Sequence, residues 1–514
     1  MSTHRPFAAA RRARDIDQSS RLAILVALAL TAAACGRGGA VAAPPSQQPR
    51  DGGTLTYALA ADPVSVTPLY GGDPNGTVIE RNVFAGLVAA DPGTLQPVPS
   101  IARSWSSSAD GKRWTFRLRP GVRFSGNAGP VTAQTFVDDW GLLCSPSVHS
   151  PNAAVLAPVE GYAGCRAGAG LLAGVHALDP QTLQVTLSRP VWDFPARLLD
   201  PATWAFPPQL AQTAAQRRAF EDAPVGAGPF QVQLLRRSSR LKGKAPVAGL
   251  VVLARNPDYF GPAPHVDAVQ LPVVTGTDAA RTFAAFRTGR YQALPVPLAA
   301  GDVVRADPAF QRRLVVAPRL SLYALRSTAA TAVRLAVAGA LDRQQAAALA
   351  LGKSAQAADG LLPSGMPGYT PEMASYPRVP GARPFVRLTR ESGTLGQLTD
   401  AVAQVLRQRG LTVRVVPHGD WTVTETDLAS PSPGAGLAAV WGAGPQVTAP
   451  IDAARGATVN QAVMRVQRAL LASGAVVPLV FGQQELLVAP RVRNLRLDAL
   501  GAPDLDGAWL VPPH

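Results

Sequence analysis

A strand–helix–strand unit in the last third of the chain is the feature that most restricts the fold classes the chain can adopt. Residues 384–388 (PFVRL) and 411–416 (LTVRVV) have the short apolar pattern of strands, and residues 395–409 between them have helical periodicity. The apolar positions on one face of this helix are Leu398, Val402, Val405 and Leu406. Gly410 is placed to end the helix. Two strands joined by a helix pair in parallel, so the unit predicts an α/β layer.

The amino-terminal segment has the pattern of an export signal. Residues 22–34 form an apolar run too short to cross a bilayer, which needs ~20 residues, and arginines precede the run. Residues 32–35 (AAAC) resemble a bacterial lipobox, except that Ala32 stands where the pattern usually has Leu. We predict a signal peptide at 1–34, a lipidated Cys35 and a flexible tether at 35–50, with an ordinary cleaved signal as the alternative. Arg11-Arg12 suggests the twin-arginine route, but the residues that should follow are missing, which favours the general secretory path.

The composition indicates which classes of partner the protein could bind. The net charge is +15, and 49 basic residues include only four lysines, which indicates a GC-rich genome and an actinobacteria-like composition. With 47 Gly and 48 Pro, the chain is globular and loop-rich. An exported basic protein meets anionic lipids and wall polymers, and the chain has no basic motif interleaved with aromatic residues. We therefore predict no nucleic-acid partner.

Two cysteines remain after Cys35. Cys144 and Cys165 are an even pair in a chain that works in an oxidising compartment, which predicts a disulfide. A zinc site that also used His149 and His176 is the alternative, but no standard ligand spacing is present. We predict no metal and no cofactor.

A hairpin followed by a helix is predicted early in the chain. Asp110-Gly111 is a turn dipeptide between two alternating runs, and the second run places Trp114, Phe116 and Leu118 on one face. Thr132 is predicted as the N-cap of the next helix. Before the hairpin, residues 76–88 have apolar positions near helical spacing.

Five tracts, in order, carry a resemblance to a known family. The chain resembles the family 5 extracellular solute-binding proteins, the peptide and nickel receptors of ABC importers. The first tract runs from Leu87 through the hairpin to 130–133 (PVTA). The others are 226–230 (GAGPF, like the family's GTGPY), 255–261 (RNPDYFG, like RNPDYWG), 334–343 (like RxALxxAIDR) and 362–369 (LPSGMPGY, like LPPGxPGY).

The resemblance implies an α/β, two-lobed periplasmic-binding-protein type II fold with an extra domain inserted in the first lobe. The amino-terminal lobe would be 51–288, with the extra domain at about 72–188. The second lobe would be 289–484, and 485–514 would return to the first lobe.

The sequence shows no enzyme motif. HExxH, GxSxG, GxxxxGK[ST] and a GxGxxG that opens a helix are all absent. Asp138-Asp139 is a pair of carboxylates on a predicted helix, and we interpret it as a solvated face because adjacent helical residues point in different directions. We predict that the chain is not an enzyme.

The resemblance also supplies candidate ligand-binding residues. In the family, the pocket is lined by the loop after the first strand, by a strand early in the second lobe and by a late Trp-x-Ala-Asp tract. These positions carry Tyr70 and Asp73, then Tyr323, then Trp441. Gly444 stands where the family has an acidic residue. Core packing is the alternative for each aromatic residue.

The expected function is a substrate-binding lipoprotein of an ABC importer. It would be a monomer that captures a peptide or other small solute between its lobes and delivers it to permease subunits. The alternative is a non-transporting envelope lipoprotein that keeps the receptor fold and acts through protein contacts in cell-wall or lipid assembly.

Overall fold

The computed structural model describes residues 48–512 except 92–94, 240–246, 275–278, 298–299, 353–354, 364–365, 367, 372, 429–431, 442–444, 456 and 498–501. The predicted signal peptide, Cys35 and most of the tether lie outside the described residues, as does Gly444. Among the helices of the described residues, none has the length and apolar character needed to cross a membrane.

The described residues form both α-helices and β-strands. The α-helices are α1 (Pro74–Val83), α2 (Ala133–Cys144), α3 (Tyr162–Arg166), α4 (Phe194–Arg197), α5 (Ala214–Asp222), α6 (Ala279–Arg287), α7 (Gly301–Ala306), α8 (Pro308–Gln311), α9 (Thr331–Ala340), α10 (Arg343–Leu351), α11 (Gly393–Gln408), α12 (Pro433–Trp441), α13 (Pro445–Asp452) and α14 (Ala457–Ala472). Short 3-10 turns lie at Ser125–Asn127, Ala153–Leu156, Pro201–Thr203 and Pro208–Leu210.

The first sixteen strands of the described residues build three main sheets and one two-stranded sheet. They are β1 (Thr54–Thr56), β2 (Val88–Ala90), β3 (Pro97–Pro99), β4 (Ala102–Ser107), β5 (Arg113–Leu118), β6 (Val175–Asp179), β7 (Thr182–Thr186), β8 (Phe230–Arg236), β9 (Leu250–Arg255), β10 (Ala268–Pro272), β11 (Ala293–Val296), β12 (Leu314–Ser327), β13 (Phe385–Thr389), β14 (Thr412–Val416), β15 (Trp421–Asp427) and β16 (Val476–Val488). Four two-residue strands follow: β17 (Val492–Arg493), β18 (Arg496–Leu497), β19 (Pro503–Asp504) and β20 (Trp509–Leu510).

The first lobe contains two sheets around one hydrophobic core. One sheet has the order β1-β10-β9-β8, with β1 parallel to β10, and the other is the antiparallel sheet β4-β5-β7-β6. Both contribute to core 1, a buried cluster that includes Leu55, Phe84, Phe116, Phe194 and Phe230. The shared core makes the two sheets one packed body.

The second lobe is a six-stranded sheet with helices on both faces. Its order is β11-β16-β12-β15-β13-β14. Core 2 lies on one face and includes Val337, Leu388, Val402 and Trp421, from strands and from the helices α9 to α11. Core 3 lies on the other face and includes Leu437, Val440, Ile451 and Val463, from α12 to α14. Strand β12 serves both cores, because alternate side chains point to opposite faces: Tyr323 packs in core 2 and Leu322 in core 3.

The local predictions for the strand–helix–strand unit and the hairpin are confirmed. Strands β13 and β14 pair in parallel, with Phe385 opposite Thr412, and α11 connects them. Strands β4 and β5 pair antiparallel around the turn at Gly111. Thr132 is the N-cap residue of α2, and its N–H donates to the Thr135 hydroxyl over 3.1 Å.

The predicted disulfide is also confirmed. It joins Cys144 at the end of α2 to Cys165 in α3, with the Cα atoms 6.0 Å apart. Both cysteines are buried in core 1. The bridge therefore fastens α3 to the helix that covers the β4-β5-β7-β6 sheet.

One local prediction is confirmed in part, and one is wrong. The helix predicted over 76–88 ends at Val83, because the chain becomes extended at Phe84 and Ala85 forms a bridge with Ala205. Asp139 does not lie on a solvated face: its residue is 1% exposed, and its Oδ2 accepts the Phe206 N–H over 3.0 Å. Burial raises the pKa of Asp139 well above its ordinary value, so its neutral form is favoured.

Candidate ligand-binding site between the lobes

The two lobes are joined by strands that run from one core to another. In β12, Val315 belongs to core 1 and Leu322 to core 3. In β16, Leu486 belongs to core 1 and Val477 to core 2. The pairing of β12 with β16 changes register between Pro318 and Leu322, where the strands pass from one lobe to the other. The surfaces of the two lobes beside this crossing are the candidate binding surfaces.

Tyr70 lies on a loop of the first lobe that a neighbouring segment holds in place. Its side chain is half-buried against core 1, and its hydroxyl donates to the Val148 carbonyl over 3.1 Å. The Ser150 hydroxyl donates to the Leu69 carbonyl over 2.6 Å. Both partners lie just after the disulfide-bonded helix α2, so the loop rests on a braced segment.

Asp73 shapes the same loop and begins α1. Its Oδ1 accepts the N–H groups of Asn75 and Gly76, at 3.1 and 3.0 Å, which caps the helix. Its Oδ2 accepts those of Val64 and Ser65, at 3.0 and 3.3 Å. Four backbone N–H groups thus donate to one carboxylate, so its hydrogen-bonding capacity is largely occupied within the loop.

Glu80 lies buried beneath this loop. It is fully buried, and within the described residues neither of its carboxylate oxygens has a hydrogen-bond partner. Burial raises its pKa well above the ordinary value, and the charges of Asp73, Glu221 and Asp200 add to the effect. A Cβ at Gly71 would lie 2.0 Å from Glu80 Oε1, so the loop can cover this carboxyl only with glycine there.

The second-lobe candidates differ in exposure. Tyr323 is only 7% exposed and packs in core 2, opposite Glu425 of β15. Trp441 is the last residue of α12 and is half-buried against core 3. The two aromatic residues thus lie in different layers of the lobe, whereas Tyr70 and Asp73 share one loop.

A buried contact between the lobes was missing from the sequence predictions. Asp452, at the end of α13 on core 3, has a side chain with 0% exposure. Its Oδ1 accepts Arg197 Nη2 over 2.6 Å, and its Oδ2 accepts Nε and Nη2 of Arg189 over 3.0 and 2.8 Å. Arg197 is in α4, which packs on core 1 through Phe194. Burial raises the pKa of Asp452, and the two guanidinium groups oppose that rise.

A third cation, Arg455, extends this contact toward the surface. The Arg455 guanidinium lies 3.4 Å from the centre of the Trp192 ring, and its Nη2 donates to the Ala109 carbonyl over 2.8 Å. Trp192 in turn packs against Gly111, where a Cβ would lie 2.4 Å from the ring. The turn of the β4–β5 hairpin is thereby tied to the segment that follows α13.

No sequence signal pointed to these residues. Arg197 and Asp452 are 255 positions apart, and neither lies in a tract that carries the family resemblance. Within the described residues, no group of three or more His, Cys, Asp or Glu side chains is placed to hold a metal ion.

Comparison with known proteins identifies the family. The sequence profile of the bacterial extracellular solute-binding proteins, family 5 Middle, matches residues 96–460. The chain belongs to this family. The recognition from the five tracts is therefore confirmed.

Two curated family 5 proteins illustrate the likeness. The periplasmic oligopeptide-binding protein OppA of Salmonella typhimurium is 30% identical over 298 residues, which is 55% of this chain and 51% of that protein. The dipeptide-binding protein of Escherichia coli is 25% identical over 339 residues, which is 63% of this chain and 60% of that protein. Each match spans less than two thirds of the relative.

A solved structure shows the fold. The structure titled clavulanic acid biosynthesis oligopeptide binding protein 2 superposes with a TM-score of 0.74 at 20% identity, and covers 90% of this chain and 96% of that one. The two-lobed α/β family 5 fold is thus confirmed. Family 5 proteins are exported, non-enzymatic binding receptors, in agreement with the prediction that this chain is not an enzyme. The domain boundaries, including the extra domain at about 72–188, stay predictions.

Proposed function

We propose that this family 5 protein is the substrate-binding lipoprotein of an ABC importer. It captures a peptide or other small solute between its lobes as a monomer, and it delivers the solute to permease subunits. The observation that carries the proposal is the crossing of β12 and β16 between separate cores, because it lets the lobes move about a short connection. The chain supplies binding and no chemistry.

Trp441 and Tyr70 are the proposed aromatic walls of the solute site. Both are half-buried, so each keeps ring surface available to a ligand while its lobe fixes its position. Tyr323 would contribute only an edge, since it is 7% exposed. Asp73 would act mainly by holding the loop that carries Tyr70, because four backbone donors occupy its carboxylate.

The proposed solute lacks a free α-amino group. A cation buried between closed lobes needs a carboxylate partner, since an unpaired buried charge is costly. Gly444 has no side chain to offer, and Asp73 is already engaged with the backbone. A neutral, anionic or N-blocked solute fits these constraints better than an unmodified peptide.

Native mass spectrometry and calorimetry test the proposal. The protein purified from its own organism should carry a small molecule, and Trp441→Ala should lose most of it while Tyr291→Phe, a buried control in another part of the molecule, should retain it. Unmodified di- to pentapeptides should bind more weakly than about 100 μM, or roughly −5.5 kcal/mol. Micromolar binding of peptides that disappears on N-acetylation would overturn the proposed solute class, and a protein that never binds a small molecule would overturn the receptor function.

The proposed membrane attachment is tested separately. Processing after residue 34 would leave Cys35 as a lipidated amino terminus followed by the tether. The Cys35→Ser variant should then appear in the medium and not in the membrane fraction. Fractionation identical to the unchanged protein would exclude the lipid anchor.

A further inference from the structure

The contact between the lobes is a charge-balanced cluster. Arg189 and Arg197 supply two cations, and Asp193 and Asp452 supply two carboxylates. Arg197 lies between both carboxylates: its Nε is 3.8 Å from Asp193 Oδ1, and its Nη2 is 2.6 Å from Asp452 Oδ1. Its side chain is 4% exposed. The four charges therefore compensate one another: Arg197 and Asp452 are buried, whereas Arg189 and Asp193 are partly exposed.

The partners in this cluster come from different lobes. Arg189 and Asp193 precede α4 and Arg197 is its last residue. Phe194 of this helix packs in core 1, whereas Asp452 follows Ile451 of core 3. Asp193 also contacts the Ser432 hydroxyl, just before α12 of the second lobe. A buried ion is tolerated only while its partners are in place, and removal of one partner leaves an uncompensated charge. The cluster is complete only when the lobes touch.

A glycine in the neighbouring helix leaves space for the cluster. A Cβ on Gly434, in α12, would lie 2.8 Å from Arg197 Nη2 and 3.1 Å from Asp452 Oδ1. The Trp192 N–H donates to the Asp452 carbonyl over 3.3 Å, which adds a backbone link beside the ion pairs. The helix that ends at Trp441 is thus in direct contact with the guanidinium of the other lobe.

We propose that Arg189, Arg197 and Asp452 form a latch that holds the lobes together in the absence of a solute. The carboxylate of Asp452 supplies, from within the chain, the cross-lobe contact that a bound solute would otherwise have to provide. Solute entry then requires the latch to open, and the apparent affinity is lowered by the fraction of molecules that are closed and empty. Only this last consequence rests on the proposed receptor function.

Distances between the lobes in the solute-free protein test the latch. Spin labels at Leu171→Cys and Leu349→Cys, at residues that are 83% and 47% exposed, report on the first and second lobes in a Cys35→Ser background. Bound solute is removed by unfolding and refolding with the disulfide intact, and native mass spectrometry verifies its absence. In double electron–electron resonance, Asp452→Asn should raise the open-to-closed ratio by about tenfold or more.

A matched control and a second variant keep the test decisive. Asp420→Asn removes the partner of Arg387 inside the second lobe and should leave the distance distribution unchanged. If Asp452→Asn fails to fold, Arg189→Gln, which removes the partly exposed partner of Asp452 and leaves Arg197 in place, should still shift the distribution toward longer distances. An unchanged distribution in a folded Asp452→Asn protein, or in Arg189→Gln when the first variant does not fold, overturns the latch. Neither outcome depends on whether the protein binds a solute.

Discussion

Two buried aspartate side chains, those of Asp139 and Asp452, are stabilised in contrasting ways. Asp139 lies in α2, and its partner is the Phe206 N–H of the same lobe. Asp452 ends α13, and its partners are arginines of the other lobe. Burial raises the pKa of both. The Asp139 contact breaks only when the lobe unfolds, whereas the Asp452 cluster can be hydrated when the lobes separate. Asp139 should therefore affect the stability of its lobe, and Asp452 should affect how the two lobes are arranged.

The largest expected effect comes from the disulfide, a link inside one lobe. The double variant Cys144→Ser/Cys165→Ser should lower the free energy of unfolding by ~3 kcal/mol, because the loop that the bridge closes gains freedom in the unfolded chain. Urea unfolding of the variant and the unchanged protein measures this difference. The distance between the lobes should not change in the folded variant. Equal midpoints and slopes in urea would contradict the prediction.

The next prediction tests the two carboxylates against each other. Asp139→Ala should cost ~1–3 kcal/mol of unfolding free energy, since the buried Phe206 N–H loses its acceptor. Asp452→Ala should cost less, because the arginines can regain water when the lobes separate. Asp139→Asn retains an oxygen acceptor and should be close to the unchanged protein. A larger loss of stability for Asp452→Ala than for Asp139→Ala would end the distinction between the two sites.

A third prediction concerns the pH dependence of a first-lobe contact. Burial raises the pKa of Asp504 to about 8, and the hydrogen bond and charge of Asp506 add to the rise. The folded protein therefore binds a proton that the unfolded chain releases near pH 4, and this contribution to stability declines as the pH rises from about 4 to about 8. Between pH 6 and 7, the decline should be ~1.4 kcal/mol larger in the unchanged protein than in Asp504→Asn. Parallel pH profiles in urea unfolding would show that Asp504 does not carry this proton.

The sequence predicted those parts of the fold that depend on neighbouring residues. Strands β13 and β14 and helix α11 were visible because period-two and period-3.6 patterns arise within a few residues. The helix predicted over 76–88 was too long because Ala85 pairs with Ala205, a residue far away in the chain. The apolar positions after Val83 pack in core 1 from an extended backbone, which spacing alone does not reveal.

The candidate site was less accessible to sequence reasoning. Tyr70 and Trp441 were assigned as candidates from the family resemblance and not from any local pattern, and their role stays a prediction. Asp139 was assigned to a solvated face because its partner, at Phe206, lies 67 positions away. No sequence pattern marked Asp452, because its ion pairs form only when folding brings two distant arginines to it.

The smallest expected effect separates contact between the lobes from stability within them. Arg455 lies on the face of Trp192 and is exposed, a setting in which a cation–π contact contributes ~0.5–1 kcal/mol. Because the contact joins two lobes, Arg455→Ala should change the urea midpoint hardly at all, yet amide hydrogen exchange around Trp192 should become faster. Arg387→Ala, which removes an exposed cation whose partner Asp420 is in the same lobe, should leave exchange at Trp192 unchanged. If Arg455→Ala lowered the unfolding free energy as much as loss of the disulfide does, the Arg455–Trp192 contact would stabilise the folded lobes themselves. The contrast between contacts within a lobe and contacts between the lobes would then fail.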